Sequence, residues 1–96
     1  MIRKGDDTNA FGFTWLTVNV EGIEDYQVAK AELRIGILTK TFENPTFPLE
    51  VSLNKEETMK LSTCSGNDCY LAIYDTQNRK LTLDGTLRFN AAPKVV

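Results

Sequence analysis

The residues best suited to chemistry are the only two cysteines, Cys64 and Cys69, which have four residues between them in the stretch STCSGNDCY. A structural zinc site needs four ligands, and two cysteines without a histidine supply at most half of them. A thioredoxin-like redox centre has two intervening residues in an α/β context, which differs from the spacing here.

The intervening residues of this stretch, Ser65–Asp68, are turn formers. We therefore predict a surface loop with two free thiols, and a Cys64–Cys69 disulfide is the disfavoured alternative. A bridge across so short a loop would add little stability through chain entropy. Cys69 is expected to enter a strand as a small buried residue, and Cys64 is expected to be more exposed.

The chain contains no histidine, so the most common general base and transition-metal ligand is missing. Paired carboxylates are the remaining route to acid–base catalysis. The close acidic pairs are Asp6-Asp7, Glu24-Asp25 and Glu56-Glu57. The two residues of each pair are adjacent in sequence, and adjacent residues of a strand point to opposite faces. We therefore predict a protein that is not an enzyme, with no metal site and no cofactor.

Composition indicates one folded domain spanning residues 1–96, a length typical of a single hydrophobic core. The net charge is −2 and the 11 basic residues are scattered. Nucleic-acid binding normally needs a concentrated basic face, so that class is disfavoured. No apolar segment has the length of a signal peptide or a membrane span, which favours a protein made in the cytoplasm without membrane contact.

Period-two alternation dominates the chain and predicts half-buried strands. It is clearest where Ala29, Ala31, Leu33, Ile35 and Ile37 alternate with polar residues and a glycine. Tyr70–Asp75 is apolar on both faces, which predicts a central or covered strand. The further strand segments are Phe13–Val20, Leu49–Leu53 and Leu81–Phe89.

One helical turn is predicted near residues 55–61, because Asn54 and Glu57 have the spacing of a capping box. Turn signals separate the strand segments at short intervals. The predicted fold class is all-β: a single antiparallel immunoglobulin-like β-sandwich of about seven strands with this short helical turn.

Aromatic residues are the candidates for partner contacts. Trp15 is expected in the core. Phe42 and Phe47 flank prolines in an irregular segment and are candidates for either core or surface. Tyr70 and Tyr74 form a stripe on the face opposite Leu71 and Ile73. The candidate partner interface therefore consists of Phe42, Phe47, Tyr70 and Tyr74.

The order of four segments along the chain matches a known kind of module more closely than any one of the segments does. The first is IRKGDD at residues 2–7, and the second is a strand from Val51 that turns into Glu57-Thr58-Met59-Lys60-Leu61. Cys69–Asp75 and Leu81–Phe89 follow as a strand pair. This order resembles small immunoglobulin-like β-sandwich modules of tailed phages and prophages, including those at the N-terminus of baseplate upper proteins. Such modules often begin with a Gly-Asp segment.

The resemblance implies a non-enzymatic structural protein of the tail or baseplate type. It would act through contacts with other virion or prophage structural proteins, or with further copies of itself. It would be made in the bacterial host cytoplasm and become a virion component. The alternative is a carbohydrate-binding or adhesion-type β-sandwich at a cell or virion surface, with Trp15, Phe42 or Phe47 as sugar platforms.

Overall fold

The period-two segments form antiparallel β-strands, which confirms the all-β class. The computed structural model describes residues 2–20, 22 and 27–94. These residues form six strands and one helical turn, against about seven strands predicted. The elements are β1 (Leu16–Val18), β2 (Val28–Ile35), β3 (Leu38–Glu43), β4 (Leu49–Val51), α1 (Lys55–Thr58), β5 (Asn67–Asp75) and β6 (Lys80–Phe89). The immunoglobulin-like topology remains a prediction.

The strands form two sheets. A four-stranded sheet has the order β3-β2-β5-β6, and a two-stranded sheet pairs β1 with β4. β5 lies between β2 and β6, as its apolar character on both faces predicts. Among the described strands, β3 and β6 are therefore the edges of this sheet.

The hydrophobic core lies between the two sheets, because alternate residues of the central strands point inward. β2 contributes Ala31, Leu33 and Ile35, and β5 contributes Leu71 and Ile73, all buried. The facing sheet contributes Leu49 and Val51 to the same cluster. Burial of such side chains is the main favourable term in folding.

The predicted strand over residues 29–37 ends early, at Ile35. Gly36 and Ile37 form the turn into β3, and Gly36 has a φ of 61° that favours glycine. A Cβ at Gly36 would also lie 2.8 Å from Asn67 Oδ1. Ile37 is therefore 82% exposed, and its predicted place on the buried face was wrong.

The helical turn is present and has the predicted capping box. The Asn54 side chain accepts a hydrogen bond from the Glu57 backbone N–H, and the Glu57 carboxylate accepts one from the Asn54 N–H. Thr58 is fully buried. Its Oγ1 accepts from the Gly5 N–H (3.0 Å) and donates to the Asp6 carbonyl (2.8 Å). The Gly-Asp segment and the Glu-Thr-x-x-Leu segment therefore meet at Thr58.

Candidate interaction surfaces

The two strand tyrosines lie on one outward face of the four-stranded sheet, as predicted. We call this surface the tyrosine face and define it by Tyr70 and Tyr74 of β5 with Lys30, Glu32 and Arg34 of β2. The register places Lys30 opposite Tyr74 and Arg34 opposite Tyr70. Lys30 Nζ lies 4.5 Å from the Tyr74 ring centroid, and Arg34 Cζ lies 5.7 Å from that of Tyr70. Both rings are thus engaged by cations of the same chain.

The Tyr74 hydroxyl donates a hydrogen bond to Glu32 Oε2 at 2.9 Å. This bond, with partial burial, raises the pKa of the Tyr74 phenol above its ordinary value. Both tyrosines are half-buried. The tyrosine face therefore presents both aromatic rings and charged groups. The sequence of β5 predicted an apolar stripe here, but charged side chains of β2 cover its two tyrosines.

Phe42 and Phe47 are half-buried and pack against the core cluster. Trp15 is also half-buried, and its ring centroid lies 5.4 Å from that of Phe89 at an interplanar angle of 60°. Trp15 therefore packs against the core, as expected, but part of its side chain remains exposed. The structure places Phe42 and Phe47 on the core side of the fold, away from the tyrosine face.

Among the described residues, the most exposed aromatic side chains are two that the sequence did not single out. Phe11 is 88% exposed and Phe13 is 62% exposed. They lie in residues 8–13, which we call the phenylalanine loop. The sequence signal was present, because both flank Gly12 in an otherwise polar segment.

Hydrogen bonds join the phenylalanine loop to Leu53, in the segment that follows β4. Thr8 N–H donates to the Leu53 carbonyl (2.8 Å), and Leu53 N–H donates to Thr8 Oγ1 (2.8 Å). Phe13 N–H donates to the Thr8 carbonyl (2.9 Å). The Asp7 carboxylate accepts from the Ala10 N–H at 2.8 Å. The preceding residues Asp6 and Asp7 line one surface pocket together with the two phenylalanines.

The two edge strands of the large sheet differ in what covers their inner faces. On β3, Leu38 is 2% exposed and Lys40 points inward beside it. Lys40 Nζ donates to the Ser52 carbonyl at 2.6 Å and to Glu57 Oε1 at 3.0 Å. β3 is therefore joined to the segment that follows β4.

On β6, two of the inward-facing leucines remain substantially exposed. Leu81 is 51% exposed and Leu87 is 39% exposed. A groove of about 510 Å³ separates β1 from β6, and Leu16, Val18 and Leu83 are among the residues that line it. No described strand pairs with the outer side of β6.

The two cysteines are free thiols that differ in burial, as predicted. Cys64 is exposed, and Cys69 is buried on the inner face of β5 opposite Ile35. Burial, reinforced by the Asp68 carboxylate, raises the pKa of the Cys69 thiol. Within the described ranges, no three His, Cys, Asp or Glu residues gather in a way that could hold a metal ion.

The described part of the chain contains no helix long and apolar enough to cross a membrane. Comparison with protein-family models, with curated proteins and with solved structures finds no match to this chain. The resemblance to phage modules, and the function that it implies, therefore remain predictions.

Proposed function

We propose that the protein is a non-enzymatic structural module of a phage or prophage assembly, of the tail or baseplate type. It binds other structural subunits of that assembly through protein–protein contacts. The observation that carries this proposal is the phenylalanine loop, which presents two large apolar rings to solvent on a hydrogen-bonded scaffold.

Exposed phenylalanine rings are suited to anchoring a protein interface. Aromatic residues are enriched at the buried centres of such interfaces, where each ring buries a large area. A loop that is already ordered loses little conformational freedom when it binds. The bonds between Thr8 and Leu53 supply that order.

The position of the loop also agrees with the resemblance. Phe11 and Phe13 follow the Gly-Asp segment, and that segment is fixed to the helical turn through Thr58. Two of the four segments that carry the resemblance thus contact each other next to the loop. Asp6 and Asp7 border the rings, so a partner surface with apolar pockets and basic neighbours would complement this loop.

The alternative, a carbohydrate-binding sandwich, has less support. A sugar platform needs flat aromatic faces open to solvent. Trp15, Phe42 and Phe47 each pack against the core cluster. Protein–protein contact through the phenylalanine loop is therefore the better supported function.

Co-expression of the chain with the products of its neighbouring genes tests the proposal. We expect the tagged chain to retain at least one neighbouring structural protein. The double variant Phe11→Ser, Phe13→Ser should lose that partner while its melting temperature stays unchanged, because neither ring belongs to the core.

A matched control removes two other exposed apolar side chains, Ile37 and Met59, which are 82% and 40% exposed. The variant Ile37→Ser, Met59→Ser should keep the partner. Failure of the wild-type chain to retain any neighbouring product would contradict the proposal, as would equal binding by the phenylalanine variant.

A further inference from the structure

The first half of β6 has the sequence Lys-Leu-Thr-Leu-Asp at residues 80–84. Its apolar and hydroxyl residues are symmetric about Thr82, and its two ends carry opposite charges. Lys80, Thr82 and Asp84 lie opposite Tyr74, Ala72 and Tyr70, so all three point to the tyrosine face. Leu81 and Leu83 point to the core side.

We propose that two copies of the chain pair through β6, antiparallel and centred on Thr82, to form one continuous sheet across the dimer. The inference rests on the proposed function, in which the protein acts by protein–protein contacts, and it names a second copy as one partner. The surface involved is the β6 edge, defined as residues 80–84.

The proposed register satisfies both faces of the sheet. Paired residues of an antiparallel ladder lie on the same face, with Cβ atoms about 4.5–5.5 Å apart. Centring on Thr82 places Lys80 of each copy opposite Asp84 of the other. It also places Leu81 of each copy opposite Leu83 of the other. The half-exposed Leu81 is thereby given an apolar neighbour on the core side.

Other registers lack this complementarity. Centring the pair on Lys80 would set the two lysines opposite each other, and centring it on Asp84 would do the same for the two carboxylates. Like charges directly opposite are destabilising. A register shifted by an odd number of residues would oppose inward and outward side chains. Among the registers that keep the two faces apart, only the one centred on Thr82 sets Lys80 of each copy directly opposite Asp84 of the other.

Two of the devices that protect natural edge strands, proline and inward-pointing charge, are missing from residues 80–84, and no described strand pairs with their outer side. β3 has such protection, because Lys40 points inward and is bound by Ser52 and Glu57. Residues 80–84 contain no proline, and their two charged residues point outward. The bulge of β6 lies beyond Asp84, so these five residues are regular.

Charge reversal tests the register. Sedimentation of the wild-type chain up to about 1 mM should show a monomer–dimer equilibrium. Lys80→Glu should raise the dimer dissociation constant about tenfold, because two attractive pairs become repulsive. Asp84→Lys should have a similar effect. The double variant Lys80→Glu, Asp84→Lys should recover dimerisation, and a mixture of the two single variants should form heterodimers. Lys60→Glu reverses the charge of an exposed residue outside β6 and should leave the dissociation constant unchanged.

A cysteine at the symmetry centre tests the geometry directly. In a Cys64→Ser background, Thr82→Cys should give a disulfide-linked dimer under mild oxidation, because the two Cα atoms would lie about 4.5–5.5 Å apart. Asp84→Cys in the same background should not, because its two copies would lie about 13 Å apart along the strands.

A wild-type chain that stays monomeric up to about 1 mM would overturn the inference. So would failure of Thr82→Cys to cross-link, or dimerisation that survives both single charge reversals. These results would leave the proposed function standing, because capture of a neighbouring protein through the phenylalanine loop is measured separately. Conversely, a chain that dimerises through β6 but captures no neighbouring protein would contradict the proposed function and leave the β6 pairing standing.

Discussion

β3 and β6 are the two edges of one four-stranded sheet, yet they differ in how their inner faces are covered. The inner face of β3 carries the buried Leu38 and the inward-pointing Lys40, which bonds to Ser52 and Glu57. The inner face of β6 carries Leu81 and Leu87, both substantially exposed. The segment that follows β4 therefore contributes to the cover of the β3 inner face, through Ser52 and Glu57.

The comparison also explains why the tyrosine face is a weaker candidate for partner contact than sequence suggested. Tyr70 and Tyr74 are covered from within the chain by Arg34 and Lys30. Leu81 and Leu87 of β6 have no equivalent cover from the described residues. An apolar side chain can contact a partner only where residues of its own chain do not already cover it.

The largest expected effect comes from matched leucine truncations on the two edges. Leu38→Ala should lower the free energy of unfolding by about 3 kcal/mol, because it leaves a cavity in the core. Leu81→Ala should cost less than about 1 kcal/mol, since half of its side chain is already in water. Urea unfolding of dilute, monomeric protein measures both. Equal losses would show that the inner face of β6 is covered.

Matched lysine substitutions should give a smaller difference. Lys40→Met should cost about 1–2 kcal/mol, because the Ser52 carbonyl and the Glu57 carboxylate lose a charged donor in a partly buried site. Lys80→Met on the other edge should change stability by less than about 0.5 kcal/mol. Thermal unfolding at low protein concentration compares the two. A neutral Lys40→Met would mean that this contact does not close the β3 edge.

A pH effect is expected at the turn that leads into β6. Asp75 accepts hydrogen bonds from the backbone of Arg79 and Gln77 and from Arg79 Nε. These bonds, that of the Arg79 backbone first, lower the pKa of its carboxyl group in the folded protein. Their stabilisation is present above the unfolded pKa of about 4. It is lost as the pH falls through the lower folded value.

Urea midpoints between about pH 2 and 5 measure this effect. The wild-type chain should lose stability over this range more steeply than Asp75→Asn, which has no carboxyl group to titrate there. Parallel curves for the two proteins would show that the Asp75 carboxyl group does not cause the loss of stability. The β3 turn, which is built from Gly36 and Ile37, has no titrating group of its own.

The smallest effect is a difference in thiol reactivity with no change in stability. Cys64 is exposed and should react with a thiol reagent within the mixing time of a manual assay. Cys69 lines the groove beneath β6 and has a raised pKa, so it should react at least about tenfold more slowly. Cys64→Ser should leave only the slow phase. Equal rates would show that the groove admits solvent to β5, and reaction only after reduction would indicate a disulfide.

Much of the fold was predictable because local pattern and tertiary environment agree. Alternation identified β2, and the apolar character of both faces of β5 identified its central place. The capping box of Asn54 and Glu57 is a local interaction between residues three apart, so it could be recognised without knowledge of the fold.

β3 was missed for the opposite reason. Its inward positions are Leu38, Lys40 and Phe42, and a lysine interrupts the expected apolar alternation. An inward lysine is acceptable only because Ser52 and Glu57, distant in sequence, bind its ammonium group. No pattern within β3 carries that information. The exposure of Ile37 likewise depends on the close approach of Asn67 to Gly36.

The sequence by itself determined that β2, β5 and β6 are strands, where the helical turn begins and which cysteine is buried, because these depend on neighbours along the chain. The tertiary structure decided which apolar residues remain in contact with water. Tyr70 and Tyr74 received cations from β2, whereas Phe11, Phe13 and Leu81 received no such cover from the described residues. Exposure is set by the elements that pack across a side chain, and those elements come together only when the chain folds.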